Sequence, residues 1–247
     1  MSCQISRVEN RGHEKVVHVV GGEGQREIVV DALLVGAGRV PNVEGLDLDA
    51  AGVRYERKEG VWVNDRLRTT NRSIYAAGDI CSRFKFTHAA DAMARLVIQN
   101  ALFKGRARAS TLTIPWCTYT DPEIAHVGLY EHEAREQGIA FRTFTQELHE
   151  VDRAVLDGED EGFVKVIVGE RGDRILGATV VAAHAGDMIA EVTLAMVGRL
   201  GLRTIAITIH PYPTQAEAIK KVGDAYNRTR VTPFVKWLFE KWLSWSR

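Results

Sequence analysis

The sequence is short of cysteine, of net charge and of long apolar runs. Its three cysteines, Cys3, Cys81 and Cys117, stand far apart, and no Cys-x-x-Cys or other metal-ligand spacing occurs. The odd number and wide separation exclude a disulfide scaffold and fit a reducing compartment. Lys plus Arg and Asp plus Glu are equal at 32 each, which leaves no basic surplus for nucleic acid or an anionic surface. A small molecule or another protein is the expected partner. No apolar run reaches the roughly 18 residues of a membrane span, and the opening stretch MSCQISRVEN is polar where a secretory leader would be apolar. The expected location is the cytoplasm.

What is present fits a mixed helix and sheet chain. At 247 residues there is length for one large domain or two ordinary ones, and a chain of this size buries roughly 70% of its unfolded surface. EKVVHVV and REIVVDALLVGAG are rich in Val, Ile and Leu and flank GGEGQ, which predicts a hairpin feeding a buried strand. That strand ends in GAGRVPN, where Gly36 and Gly38 admit close backbone approach and Pro41 stops the run. From 87 to 105 apolar residues recur at helical spacing (Ala90, Met93, Ala94, Val97, Ile98, Ala101, Leu102), with Thr87 placed to cap. After Thr111 the pattern becomes strand, turn, short helix, strand, then two strands about residues 171–173, a helix from near Gly186, and a last helix in QAEAIKKVGDAY. The first half reads as pieces of a doubly wound sheet and the second as an antiparallel α+β unit.

Two stretches carry chemistry. SIYAAGD, residues 73–79, sets Gly78 and Asp79 at the end of a strand, where open α/β sheets bind ligands and a carboxylate can accept bonds from sugar-like hydroxyls. The plain alternative is a Gly-Asp turn. The helix opening at Thr87 would add free N–H groups facing the same ligand. HPYPTQAEA, residues 210–218, places His210, Tyr212 and Glu217 within eight residues, with Pro211 and Pro213 stiffening the bend. A group on the bend and an acid in the first helical turn can hydrogen-bond. Equally, the prolines stiffen a turn while Tyr212 or Thr214 caps the helix.

Four stretches in order, GRVPN (38–42), IYAAGD (74–79), YTDPEIAHVGL (119–129) and YPTQAE (212–217), resemble the FAD-dependent pyridine nucleotide-disulfide oxidoreductases, which include lipoamide dehydrogenase, glutathione reductase and mercuric reductase. The resemblance implies residues 1–45 as the tail of an NAD(P)-binding domain, 46–110 as the C-terminal part of an FAD-binding domain and 111–230 as a dimerisation domain. It implies FAD and NAD(P)H as cofactors, a homodimer, and a small-molecule electron acceptor. By the same resemblance Asp79, beside Gly78, bonds the ribityl chain of FAD. The backbone of Thr87, His88 and Ala89 faces the flavin edge, the His88 ring being structural, and Gly38 and Arg39 lie near the junction of the nucleotide domains.

The family's active-site base is a histidine held by a glutamate and lent to the neighbouring subunit. Its position falls on Tyr212, with Glu217 as the acid and His210 as a flanking substitute, so the pattern is nearest the mercuric reductase branch. The terminal cysteine pair of that branch is missing, since the chain ends WLSWSR. Neither GxGxxG turn and no Cys-x-x-x-x-Cys pair occurs, so the chain is expected to be the C-terminal portion of such an enzyme and inactive alone. A catalytically inactive dimerisation module is the other reading. Cys81 and Cys117 are expected to be packing groups. Residues 231–247 form an amphipathic tail holding three of the five tryptophans, expected to dock on the dimer in preference to a membrane interface.

Overall fold

The computed structural model describes residues 3–22 and 24–245. Met1, Ser2, Glu23, Ser246 and Arg247 lie outside the described residues, so the expected tail is seen as far as Trp245 and the GGEGQ turn without its glutamate. The chain divides into two compact units, Met1–Pro41 and Asn42–Arg247. Among the described residues no helix is long and apolar enough to cross a membrane.

The first unit is an antiparallel meander of β1 (Gln4–Arg11), β2 (Glu14–Gly21) and β3 (Gly24–Val30) in that spatial order. The β2–β3 hairpin is the expected one, with Val17 opposite Ile28. β1 was not foreseeable from apolar pattern, because Ile5 and Val8 are its only apolar residues and both are exposed. Its turn into β2 uses Gly12 at φ 66°, a left-handed conformation that costs other residues about 1–2 kcal/mol. The buried strand expected through ALLVGAG does not form. Residues 31–41 have no regular structure, and Leu34 and Val35 are 101% and 83% exposed. A parallel-sheet strand is apolar on both faces because neighbours flank it. Among the described residues nothing pairs with this run, so its side chains stay in solvent.

The second unit opens with irregular chain and a small hairpin, β4 (Tyr55–Glu56) with β5 (Gly60–Val61). Val43, Val53 and Val61 form one small core here. Leu67, Met93 and Leu96 form another beneath α1 (Thr87–Leu102). The face α1 buries is Ala89, Met93, Leu96 and Asn100, while Ile98 and Leu102, expected in its apolar stripe, are exposed.

A five-stranded antiparallel sheet follows. It is built from β6 (Trp116–Thr118), β7 (Glu123–Gly128), β8 (Phe141–Glu147), β9 (Phe163–Gly169) and β10 (Ile175–Ala182), ordered β6-β7-β10-β9-β8. Alternate residues Ala125 and Val127, Val164, Val166 and Val168, and Ala178, Val180 and Ala182 line one face, as the two-residue period of a strand requires. Helices α4 (Ala185–Val197) and α6 (Glu217–Arg228) cover that face, α4 over β7 and β10, α6 over β8 and β9. Two shorter helices, α2 (Glu131–Glu136) and α3 (Asp152–Asp157), join the strands.

Helix α5 (Leu202–Ile207) packs on α6 with little between them. A Cβ at Gly223 would lie 2.9 Å from both the Leu202 carbonyl and the Ala206 amide, so only glycine permits the approach. Leu202 and Ile219 anchor the pair in the core at 0% exposure, each burial worth about 1.5–3 kcal/mol. The start of α5 is clamped by Asp173, whose backbone carbonyl accepts the Leu202 amide at 3.0 Å and whose carboxylate accepts the Arg203 amide at 3.1 Å. The last helix, α7 (Pro233–Trp245), buries none of its residues.

Two glycines separate strain from crowding. Gly162 has φ 128° and a Cβ there would stand 2.1 Å from the Val181 carbonyl, whereas Gly138 has φ 66° with nothing within 4 Å. Gly162→Ala should lower unfolding free energy by about 2–4 kcal/mol and Gly138→Ala by about 1 kcal/mol, read from urea midpoints. Equal midpoints for the two variants would refute this packing of Gly162 against β10.

Candidate functional site

Two groups of the expected site residues are each assembled in the second unit. The first begins with Gly78–Ile80, a single 3-10 turn with Gly78 at φ 79°. A Cβ on Gly78 would lie 2.8 Å from the Ala90 Cβ, so glycine lets this turn rest directly on the first turn of α1 and brings Asp79 beside the helix start. The loop is held by the Lys85 ammonium, which donates to the carbonyls of Asp79 at 3.4 Å and Ser82 at 3.1 Å.

Thr87 does not cap α1. Phe86 occupies the N-cap in extended conformation (φ −126°, ψ 143°) and no side chain caps the helix. The first helical bond runs from Ala90 N–H to the Phe86 carbonyl at 3.0 Å, so the amides of Thr87, His88 and Ala89 are the orphan donors of a helix start, carrying its positive end. His88 turns aside: its Nε2–H donates to the Pro115 carbonyl at 2.7 Å and its ring stacks on Phe86. An apolar cleft of about 370 Å³ adjoins this turn, lined by His88, Ala89, Ala92, Trp116, Tyr119 and Ile189 among others.

The second group sits on the bend between α5 and α6. The His210 side chain is 6% exposed; its Nδ1 lies 3.0 Å from the Thr208 carbonyl and its Nε2 2.9 Å from Glu191 Oε1 on α4. Both ring nitrogens therefore face acceptors, and a neutral ring can serve only one of them as donor. Tyr212 is 69% exposed and donates its hydroxyl to Asp152 Oδ2 at 2.6 Å, at the start of α3. The hydrogen bond to Asp152 and its charge, then slight burial and the more distant charge of Glu217, all push the phenol above its ordinary pKa. Tyr212 is thus held as a neutral donor.

The expected hydrogen bond between Glu217 and the bend is not made. Glu217 is the first residue of α6, and its buried Oε2 has no hydrogen-bond partner. Gln215, 7% exposed, donates to Glu159 at 3.1 Å and leaves its own Oε1 unpaired. Neither Thr214 nor Tyr212 caps α6. Ala216 holds the N-cap position without a side-chain bond, while the Thr214 hydroxyl donates back to the Pro211 carbonyl at 2.8 Å.

The residues that sequence reasoning missed are the partners, Asp152 and Glu191. Asp152 lies sixty positions from Tyr212, beyond any local spacing. Glu191 did carry a signal, being the one charge beyond the first turn of the otherwise apolar α4. Gly38, at φ 106°, and the exposed Arg39 belong to the first unit and its irregular segment. Cys81 packs against the Val43, Val53 and Val61 core, where burial pushes its thiol up to about 11. Cys117 packs on the main core; burial and the neighbouring Glu123 raise its pKa too.

Two family models match in succession. Residues 1–94 match the pyridine nucleotide-disulphide oxidoreductase model, and residues 114–222 match the dimerisation domain of the same family. The chain belongs to the pyridine nucleotide-disulphide oxidoreductases. Enzymes of this family use FAD and NAD(P)H. A mercuric reductase of Staphylococcus aureus is 35% identical over 90% of this chain and 41% of its own length. A dihydrolipoyl dehydrogenase of Thermus scotoductus is 34% identical over 89% of this chain and 47% of its own. Among solved structures, LpdA from Mycobacterium tuberculosis superposes with a TM-score of 0.81 at 26% identity, over 91% of this chain and 48% of that one. The HOCl-induced flavoprotein disulfide reductase RclA from Escherichia coli gives 0.78 at 26%, over 90% and 50%. The chain thus spans about half the length of the relatives it matches.

The Tyr212–Asp152 contact has a direct spectroscopic consequence. Asp152→Ala removes both the hydrogen bond and the charge that raise the phenol pKa, so Tyr212 should ionise at lower pH in the variant. Ultraviolet difference titration, with Tyr212→Phe identifying the signal, measures it. An unchanged titration would show that the phenol does not rest on Asp152.

Proposed function

We propose that this chain is the C-terminal part of a homodimeric FAD-dependent NAD(P)H oxidoreductase, supplying flavin contacts from one surface and an acceptor-side loop to the neighbouring subunit. The observation that carries the reading is the Gly78–Ala90 contact. It seats the Gly78–Ile80 turn on the first turn of α1, so Asp79, one residue on from the contact, and the unspent amides of Thr87, His88 and Ala89 belong to one corner of the fold, an acceptor of hydroxyl hydrogen bonds together with donors for an electron-rich ring edge. These residues fit FAD, with Asp79 on its ribityl hydroxyls and the α1 amides at its ring edge. Bound there, the flavin supplies two-electron transfer between the nicotinamide and the acceptor. Gly38 and Arg39 belong in this reading to the junction of the nucleotide domains.

The acceptor-side roles follow from hydrogen bonding. Tyr212, neutral and exposed, binds or orients the acceptor as a donor. His210, enclosed with Glu191, is the group able to hold a proton close behind it. Glu217 acts on the phenol through its charge. Dimerisation is supported by Leu194, Ile207 and Ile209, which are 69%, 78% and 93% exposed on α4 and the segment leading to the bend; single chains rarely leave such a set in water. A disulfide, a metal ion and a quinone are the acceptor classes compatible with this loop, and the cytoplasm is the proposed location.

The second reading, an inactive dimerisation module, is supported by the match of residues 114–222 to the family's dimerisation domain. Flavin retention separates the two. In protein supplied with both nucleotide-binding halves, Asp79→Ala should lower the flavin retained per chain after gel filtration by about tenfold or more. Tyr212→Phe should retain the flavin yet slow transfer to the acceptor by about ten- to a hundredfold. Full flavin retention by Asp79→Ala removes the cofactor-binding reading. Ile209→Asp should convert dimer to monomer in light scattering, and an undiminished mass would place the interface elsewhere.

A further inference from the structure

Helix α7 takes no part in either group of site residues, and it presents a row of exposed large apolar side chains. Phe234, Leu238, Phe239, Trp242 and Trp245 are 67%, 51%, 54%, 61% and 93% exposed. At about 100° per residue these five, with Val235, occupy one half of the helix circumference. Lys236 falls on one margin of that half and Lys241 on the other, with Glu240 and Ser244 between them on the polar side. Trp237 stands beside Lys241, whose ammonium lies 4.5 Å from the indole ring.

Charge decides among the possible occupants. The chain as a whole is neutral, yet from Arg228 to Trp245 there are four cations (Arg228, Arg230, Lys236, Lys241) and one acid, Glu240. A second α7 laid face to face would bring lysine margins against lysine margins. An anionic lipid surface takes both features together: the apolar half enters the acyl boundary, the lysines extend from its edges to the headgroups, and the indoles occupy the interface they favour. The helix is too short to span, since 13 residues rise only about 20 Å.

We propose that α7 is an interfacial helix that lies flat on an anionic bilayer and tethers the oxidoreductase to it. Docking of the tail on the dimer is the alternative; the bilayer is favoured because none of the residues of α7 is buried and its apolar half carries a cationic rim. It stands independently of the flavin reading.

Flotation of the full chain with vesicles tests it. The chain should float with vesicles of phosphatidylcholine and phosphatidylglycerol, less with phosphatidylcholine alone, and less again at high salt. The double variant Leu238→Glu/Trp242→Glu should reduce the bound fraction by more than about tenfold while keeping the unaltered chain's mass in light scattering and its far-ultraviolet circular dichroism. Lys236→Glu/Lys241→Glu should abolish the preference for phosphatidylglycerol. The proposal is overturned if the unaltered chain does not float, if Leu238→Glu/Trp242→Glu floats equally well, or if that variant loses mass, which would make α7 a contact between copies.

Discussion

The close seam between α5 and α6 governs the segment strung between them. With no Cβ at Gly223, the α6 backbone lies against Leu202 and Ala206, and Leu202 and Ile219 fix both helices in the main core. The bend carrying His210 and Tyr212 is strung between two elements that cannot slide. Asp173 reinforces this from the far end: burial alone would raise its pKa, but the Arg203 hydrogen bonds and charge outweigh that and hold it low. An exposed loop is thereby presented by rigid supports, the arrangement in which binding groups keep their geometry without being buried.

The two polar groups on that loop are treated oppositely. The imidazole is enclosed between a backbone carbonyl and Glu191, while the phenol projects outward and uses Asp152 as its one acceptor. A carboxylate beside a phenol opposes its ionisation, so the exposed member of the pair offers a hydrogen rather than taking one. The two side chains thus rest on separate acidic partners, Glu191 and Asp152.

Much of this was legible in the sequence, and the exceptions share a cause. The β2–β3 hairpin, the strands from β6 to β10 and helices α1, α4 and α6 follow from residue pattern and turn residues. ALLVGAG misled: its composition suits a sheet whose other strands are not among the described residues. β1 escaped notice because its exposed strand has no alternation to read. At the site, the spacing from Tyr212 to Glu217 suggested a bond, but the phenol found Asp152, a residue that only the tertiary fold brings near. Gly78 and Asp79 were expected at the end of a strand, but residues 73–77 form only an isolated bridge at Tyr75 and Gly78–Ile80 is a 3-10 turn; its contact with Ala90 was not legible, since it depends on how the turn lies across a helix.

The Glu123 carboxylate receives the Gly186 amide at 2.9 Å and lies 3.8 Å from the Cys117 sulfur. Together with the enclosure of Cys81, this keeps both interior sulfurs protonated at neutral pH, and a protonated sulfur is a poor nucleophile. Enclosed and protonated, the two thiols are poor sites for oxidation, so the fold keeps them chemically quiet.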